Sequence, residues 1–259
     1  MNLREKLIVL SMIKAGDWFS MHQTLIEDQK LSNIKNKAYL NQLENEKINV
    51  LTILDEAYPE TLKEMVMPPF VLYYRGNLNL LKKNAIAIVG GRQASGYGLK
   101  FCHQITSQLM AKNCMIVSGE LSQIELRAKE ISEKKKQSIQ FLSKGFQFQL
   151  LKFNESNKIQ EDDENLILTE YPPGKEFSWR QYFRSQRIYQ AFSQILLVIE
   201  ISDEDKRLSN LKQIIHDGKP TFILPDQLIN ASAKGGLSLM NEGAYCFIDV
   251  DQMLNILDK

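Results

Sequence analysis

The sequence predicts an α/β fold, a doubly wound and mostly parallel sheet preceded by a small helical domain, and three observations carry that prediction. Apolar strand-like runs alternate with amphipathic helical periods from residue 85 onward; the strongest run, Ile195, Leu196, Leu197, Val198 and Ile199, shows no polar alternation; and the first 46 residues carry helical spacing alone. A strand that is apolar on both faces is what helices covering both sides of a parallel sheet require. At 259 residues and 44% apolar side chains, the chain is long enough to bury such a core beside an accessory domain.

Taken in order, Leu3, Leu7, Leu10 and Ile13, and later Ile34, Tyr39, Leu40 and Leu43, recur at helical spacing on either side of a break at Gly16, Asp17 and Ser20. Residues 1–46 are therefore assigned to a small helical domain and 47–259 to the larger one. Residues 48–53 form a β-branched run, and Tyr58, Pro59, Pro68 and Pro69 punctuate loops before a second lead-in strand at 70–74. The alternation then supplies strands at 85–89, 114–117, 138–142, 166–169, 195–201, 221–224 and 245–248. Helices fill the gaps at 97–112, 121–135, 179–192, 208–216, 236–241 and 251–257. The polar, mostly acidic stretch 154–165 has no apolar period and reads as a mobile loop.

Composition excludes several classes. A formal net charge of +1 gives no general steering toward nucleic acid, so any anion site must be a local concentration of basic groups. Cys102, Cys114 and Cys246 are an odd, scattered set, which fits a reducing, cytoplasmic compartment better than a disulfide framework. The apolar run 7–10 is too short for a secretion signal, and no segment approaches the roughly 18 apolar residues of a membrane span. A soluble protein with no membrane partner is expected.

Three features could carry chemistry. The strand at 85–89 runs into Gly90, Gly91 and Arg92, followed by Ser95, Gly96, Tyr97 and Gly98 before a helix. Glycines at a strand's carboxyl end let amides approach a phosphate, the helix N-terminus adds a favourable dipole, and Arg92 adds a bidentate charge. The spacing is neither G-x-G-x-x-G nor a P-loop, and a tight turn with a solvated arginine has the same pattern. Ser118 and Gly119 place a second small-residue turn at the same edge; taken alone, such a pair is more often an ordinary connection with Ser118 capping the helix. The stretch 170–187 interleaves Lys175, Arg180, Arg184 and Arg187 with Phe177, Trp179, Tyr182 and Phe183. Arg180, Arg184 and Arg187 fall at i, i+4 and i+7, on one helix face. Cations of this kind hold a single strand's backbone while rings stack on its bases, and a solvated basic face with core-anchoring aromatics is the alternative.

Catalytic constellations are scarce. His22, His103 and His216 are far apart and in no ligand spacing. Glu120 and Glu125 lack a base, nucleophile or metal partner and read as helix-surface charges. Lys134, Lys135 and Lys136 are balanced by Glu130 and Glu133, as on a solvated helix face. Neither a catalytic residue, a metal nor a cofactor is assigned.

The order of these features resembles the DNA-processing protein A (DprA/Smf) family from about Ile48 onward. Tyr58 and Pro59, then Pro68 to Asn77, are similar to that family's YP and PP-x-VLYYKGN lead-in. Ala87 to Arg92 resembles its AIVGSR turn, Val117 to Gly119 its VSG, and Glu170 to Gly174 its SEYPPG. Arg187, Ile188 and Ser193 fall within RNRIIAGLS, and Gly243 and Ala244 match the late EGA. The resemblance implies a Rossmann-like domain, a sterile-alpha-motif-like N-terminal domain, non-catalytic binding of single-stranded DNA, homodimerisation and the loading of RecA on DNA taken up in transformation. The family's phosphate contacts carry over to Arg92, and to Ser118, Gly119 and Arg187; Gly90 and Gly91 of the turn, and Arg184, which lies one position before a lost family arginine and stands in for it, complete the expected DNA- and phosphate-binding set. Departures accompany the likeness: SGLARGID reads here as Ser118 to Glu125, with Ser122 in place of the arginine and Glu120 added. Ser185 and Gln186 replace the first two residues of R-N-R, Asp205 and Lys206 stand for SG, Asp226 for the glycine of VPG, and Lys144 is gained.

Three functions follow as expectations. The first is a single-stranded DNA-binding recombination mediator; the second is a diverged partner-binding protein with weak or no DNA affinity; the third is a nucleotide-binding Rossmann-like protein.

Overall fold

The computed structural model describes residues 1–27, 38–147, 164–225 and 231–257. Ile34, Asp226 and residues 154–163 of the stretch read as a mobile loop lie outside the described residues. In chain order the elements are α1 (Leu3–Ile13), α2 (Trp18–Ile26), α3 (Ala38–Asn45), β1 (Asn49–Thr52), α4 (Glu60–Lys63) and β2 (Val71–Gly76). Next come β3 (Ala85–Gly90), α5 (Gly96–Ala111), β4 (Met115–Ser118), α6 (Gln123–Glu133) and β5 (Ser138–Leu142). They are followed by β6 (Leu166–Thr169), α7 (Trp179–Phe192), β7 (Ile195–Ile199), α8 (Leu208–His216), β8 (Thr221–Ile223), α9 (Ala231–Asn241), β9 (Tyr245–Cys246) and α10 (Val250–Leu254). The contacts divide the chain into two compact units, Met1–Leu78 with Phe141–Ile188, and Asn79–Gln140 with Tyr189–Lys259.

In the first unit β2 pairs antiparallel with both β1 and β6. The run at 166–169, counted with the alternating parallel strands by its sequence, is thus an antiparallel partner of a lead-in strand. Period and composition cannot separate these cases, because both faces of this strand are covered. Leu7, Ile8, Leu10, Met21, Leu43, Val71, Tyr73 and Phe146 form its core. Tyr73 is fully buried and its hydroxyl lies 3.0 Å from Ser11 Oγ, so the polar end is satisfied at the bottom of the core. Helix α1 starts at a capping box, Asn2 accepting from the Glu5 amide and Glu5 from the Asn2 amide.

The second unit holds the parallel sheet, ordered β5-β4-β3-β7-β8-β9. Its first strand, β3, is central: the chain winds one way through β4 and β5 and the other through β7, β8 and β9. That is the doubly wound order, and the reversal between β3 and β7 is its topological switch point. Every residue of β3 and β7 is buried, as their unbroken apolar runs require. Ile86, Ile88, Ile116, Leu197 and Ile199 meet Cys102, Ile105 and Leu109 of α5 and Ile124, Ala128 and Ile131 of α6 in one core. Each fully buried side chain of this size contributes roughly 1.5–3 kcal/mol. Among the described residues no helix is long and apolar enough to cross a membrane.

Candidate nucleic-acid interface

Five of the seven nominated residues lie in the second unit, at the carboxyl ends of the neighbouring strands β3 and β4. Gly90 ends β3 where the chains crowd: a Cβ would stand 2.5 Å from the Ile199 carbonyl oxygen and 2.6 Å from the Ile124 side chain. Gly91 is equally confined, its would-be Cβ 2.7 Å from the carbonyl oxygen of Glu200. The Gly91 amide donates to that same oxygen at 2.6 Å, so it is committed within the fold. Arg92, which follows, is exposed. Its carbonyl accepts from the Gln123 amide at 3.4 Å, and Gln123 Oε1 accepts from the Ala94 amide at 2.9 Å, fixing the turn from α6.

Ser118 ends β4 fully buried, and its hydroxyl has no hydrogen-bond partner among the described residues. It does not cap α6. The cap is Ser122, which accepts from the Glu125 amide at 3.0 Å in a capping box. A Cβ at Gly119 would lie 2.6 Å from Glu125 Oε2, so a larger residue there would displace that carboxylate.

Glu125 overturns its reading as a helix-surface charge. Its side chain is 0% exposed and Arg207, 2% exposed, donates to Oε1 at 3.0 Å. Arg207 also donates to both oxygens of Asp205, at 2.8 and 2.9 Å, and to the Gly90 carbonyl. Burial holds the Glu125 carboxyl above the usual carboxylate range, with Arg207 and the cap amides opposing it. At Asp205 burial also pushes upward, but the hydrogen bonds and charge of Arg207, joined by the charge of Arg92, bring the net shift below the ordinary value. Glu200 completes the edge. It is buried, its backbone is left-handed at φ 50°, and its carboxylate accepts from the Ser95 amide at 2.8 Å and from the Ser95 hydroxyl. The named groups here are three carboxylates against two guanidiniums, and of the guanidiniums Arg92 is the exposed one.

Arg184 and Arg187 lie in the first unit, on α7. Arg187 forms a bidentate pair with Glu170, both contacts 2.7 Å, and donates to the carbonyls of Met67 and Arg184. Their side chains are 15% and 4% exposed. Arg184 donates to Asp17 at 3.0 Å and lies over the Phe19 ring, 5.2 Å from its centroid. The Asp17 carboxyl sits below its ordinary range: burial pushes it up, and the Ser20 and Arg184 hydrogen bonds outweigh that. The i, i+4, i+7 row is therefore unevenly presented, with Arg180 exposed and the other two folded onto internal acids. The aromatics divide likewise. Tyr182 is buried, whereas Phe177, Trp179 and Phe183 are exposed and in ring contact, Trp179 at 5.5 Å from Phe177 and 6.3 Å from Phe183.

Sequence reasoning missed Glu200, Arg207 and Glu170 as organisers of these regions. Glu200 left a trace, an acid directly after the run Ile195 to Ile199. Arg207 left none, since it ends the charged run Asp203 to Arg207 with no pattern that singles it out. Among the described residues no group of three or more His, Cys, Asp or Glu side chains could hold a metal ion.

Comparison with known proteins was made on this background. A family described as DNA recombination-mediator protein A matches residues 49–258. DNA processing protein DprA of Bacillus subtilis is 27% identical over 97% of this chain and 90% of its own length. DNA processing protein DprA of Streptococcus pneumoniae is 27% identical over 80% and 73%. The crystal structure of the Streptococcus pneumoniae protein superposes with a TM-score of 0.73 over 97% of this chain and 92% of that one, at 24% identity. A Helicobacter pylori DNA processing protein A, described for its single-stranded DNA binding mode, gives a TM-score of 0.68 over 82% and 95%, at 22% identity.

Proposed function

The chain belongs to the DNA recombination-mediator protein A family, and from that premise we propose that it binds single-stranded DNA in the cytoplasm, as a homodimer and without catalysing a reaction, and passes the strand to RecA. The observation that carries the DNA part is Arg92, an exposed guanidinium on a turn held rigid by Gly90, Gly91 and Gln123 at the switch point of a parallel sheet. Ligands of open α/β sheets are met at this place. The exposed rings of Phe177, Trp179 and Phe183, in the same stretch as the exposed Arg180, support the same reading, because rings stack on unpaired bases while cations hold the backbone. RecA and the homodimer are supported by the resemblance alone.

The test is a titration of fluorescent oligo-dT at two salt concentrations. Binding that weakens as salt rises, and falls in Arg92→Ala, is expected, with the salt slope reduced by about one phosphate contact. No binding at low salt discards the proposal. A second reading, a partner-binding protein with little DNA affinity, is favoured by one observation: Arg184, Arg187 and Arg207 are all turned onto internal carboxylates. Co-purification of RecA by a chain that ignores oligo-dT would select it.

A further inference from the structure

Open α/β sheets receive a nucleotide's phosphate at the switch point, on the N-terminus of the helix that follows the first strand. Here that helix is α5, and its cap is already engaged: the Gly98 amide donates to the Ser95 hydroxyl oxygen at 3.1 Å. The Ser95 amide and hydroxyl both donate to the carboxylate of Glu200. Gly98 makes the room, since a Cβ there would lie 2.3 Å from Glu200 Oε2. The backbone fixes the same carboxylate from the other side: Glu200 takes a left-handed φ of 50°, and its carbonyl accepts from the Gly91 amide. A non-glycine residue persists in that conformation only where its surroundings over-determine it.

The next helix repeats the arrangement. At the N-terminus of α6 the anion is Glu125, buried beside Gly119, bonded by the cap at Ser122 and by Arg207. At both helix ends that flank the switch point a buried carboxylate thus stands on the cap residue, Glu200 on Ser95 and Glu125 on Ser122. A phosphate seeks the same donors, and a second anion at contact distance in a buried site is repelled.

We infer that Glu200 and Glu125 are specificity-determining residues of this edge: their carboxylates occupy the two anion seats, so the edge refuses a free nucleoside phosphate and meets nucleic acid through the exposed guanidinium of Arg92. The second half rests on the single-strand reading; the first half stands without it. A polymer phosphate touched from outside needs neither seat, whereas a mononucleotide depends on them.

The experiment uses the full chain with AMP and with inorganic pyrophosphate, read by thermal shift and calorimetry, beside labelled oligo-dT read by anisotropy. The unmodified chain is expected to show no protection by either small anion at millimolar concentration. Glu200→Gly empties the seat and suits the left-handed backbone, and pyrophosphate affinity is expected to rise on the order of tenfold or more as the like charge is removed. Glu200→Gln, which keeps the shape and drops the charge, supplies the comparison if the glycine variant fails to fold. Protection of the unmodified chain by AMP or pyrophosphate overturns the inference, as does a folded seat variant that still ignores pyrophosphate. Failure of oligo-dT to bind, together with a gain in the variant, overturns the single-strand reading and the role given to Arg92 while the self-filled seats stand.

Discussion

Arg92 and Arg187 are both positions where this chain matches the arginines of a family turn and a family helix, yet they are used in opposite ways. Arg92 ends a turn whose backbone bonds are satisfied elsewhere, and its side chain faces solvent. Arg187 is folded onto Glu170 and onto two carbonyls, with both partners of the pair largely buried. A guanidinium in the second situation is a structural cation. The contrast teaches that the number of arginines in a stretch does not measure the positive charge it offers a ligand. What counts is how far the fold encloses the guanidinium, as Glu170 and two carbonyls enclose Arg187 and as Asp17 has reached Arg184 across 167 positions.

The contrast can be broken most forcefully at the buried ions. Arg207→Met leaves Glu125 fully buried without its guanidinium and releases the Gly90 carbonyl, so a loss of about 3–5 kcal/mol in urea unfolding is expected. Arg187→Met should cost a similar or slightly smaller amount, about 3–4 kcal/mol, because its site is less completely buried. The double change Arg187→Met with Glu170→Met should recover most of that loss. If Arg187→Met instead leaves stability intact and reduces only oligo-dT binding, Arg187 belongs with Arg92 and the distinction drawn between them is wrong.

Acid titration sharpens the comparison with a smaller effect. Asp17 in the first unit is held below its ordinary range, so the stability it contributes is present above that range and lost as pH falls through the lowered value. Glu125 in the second unit is held above its ordinary range, so its contribution has the opposite sign. Below the ordinary glutamate value it imposes no cost, and the cost grows as pH rises through the raised value. Urea midpoints taken below about pH 3, where a lowered aspartate titrates, and at pH 7 should therefore separate the two: Asp17→Asn flattens the acid loss, and Glu125→Gln gains most at the higher pH. The smallest expected effect on stability is that of Arg92→Ala, within about 0.5 kcal/mol of the unmodified chain, as for an exposed side chain outside the core. A larger loss would show that Arg92 is structural after all.

Much of the second unit was legible in advance. The helix at 208–216 is found where periodicity puts it and the strands at 85–89 and 195–201 within one or two residues of it, because a period of 3.6 or an unbroken apolar run reflects burial that the sheet then provides. The first unit was less legible. Its strand at 166–169 carries the composition of a parallel strand and pairs antiparallel with β2, a choice made by where the chain returns and not by local preference. At the candidate site, the glycines at 90, 91 and 119 were read as freedom for a ligand to approach. The structure gives them a second reason, close passage of Ile199, Glu200 and Glu125.

Alone, the amino-acid order determined the alternation of strand and helix, the glycine turn that ends in Arg92, and the string of rings and cations from Phe177 to Arg187, since each is a pattern of neighbours along the chain. Only the tertiary structure decided which charges face inward. Glu125 and Arg207 are 82 positions apart, and Ser95 and Glu200 are 105 apart. Pairs of that kind exist only once a sheet has brought its strand ends together, and burial then makes them far stronger than any local charge pattern in water.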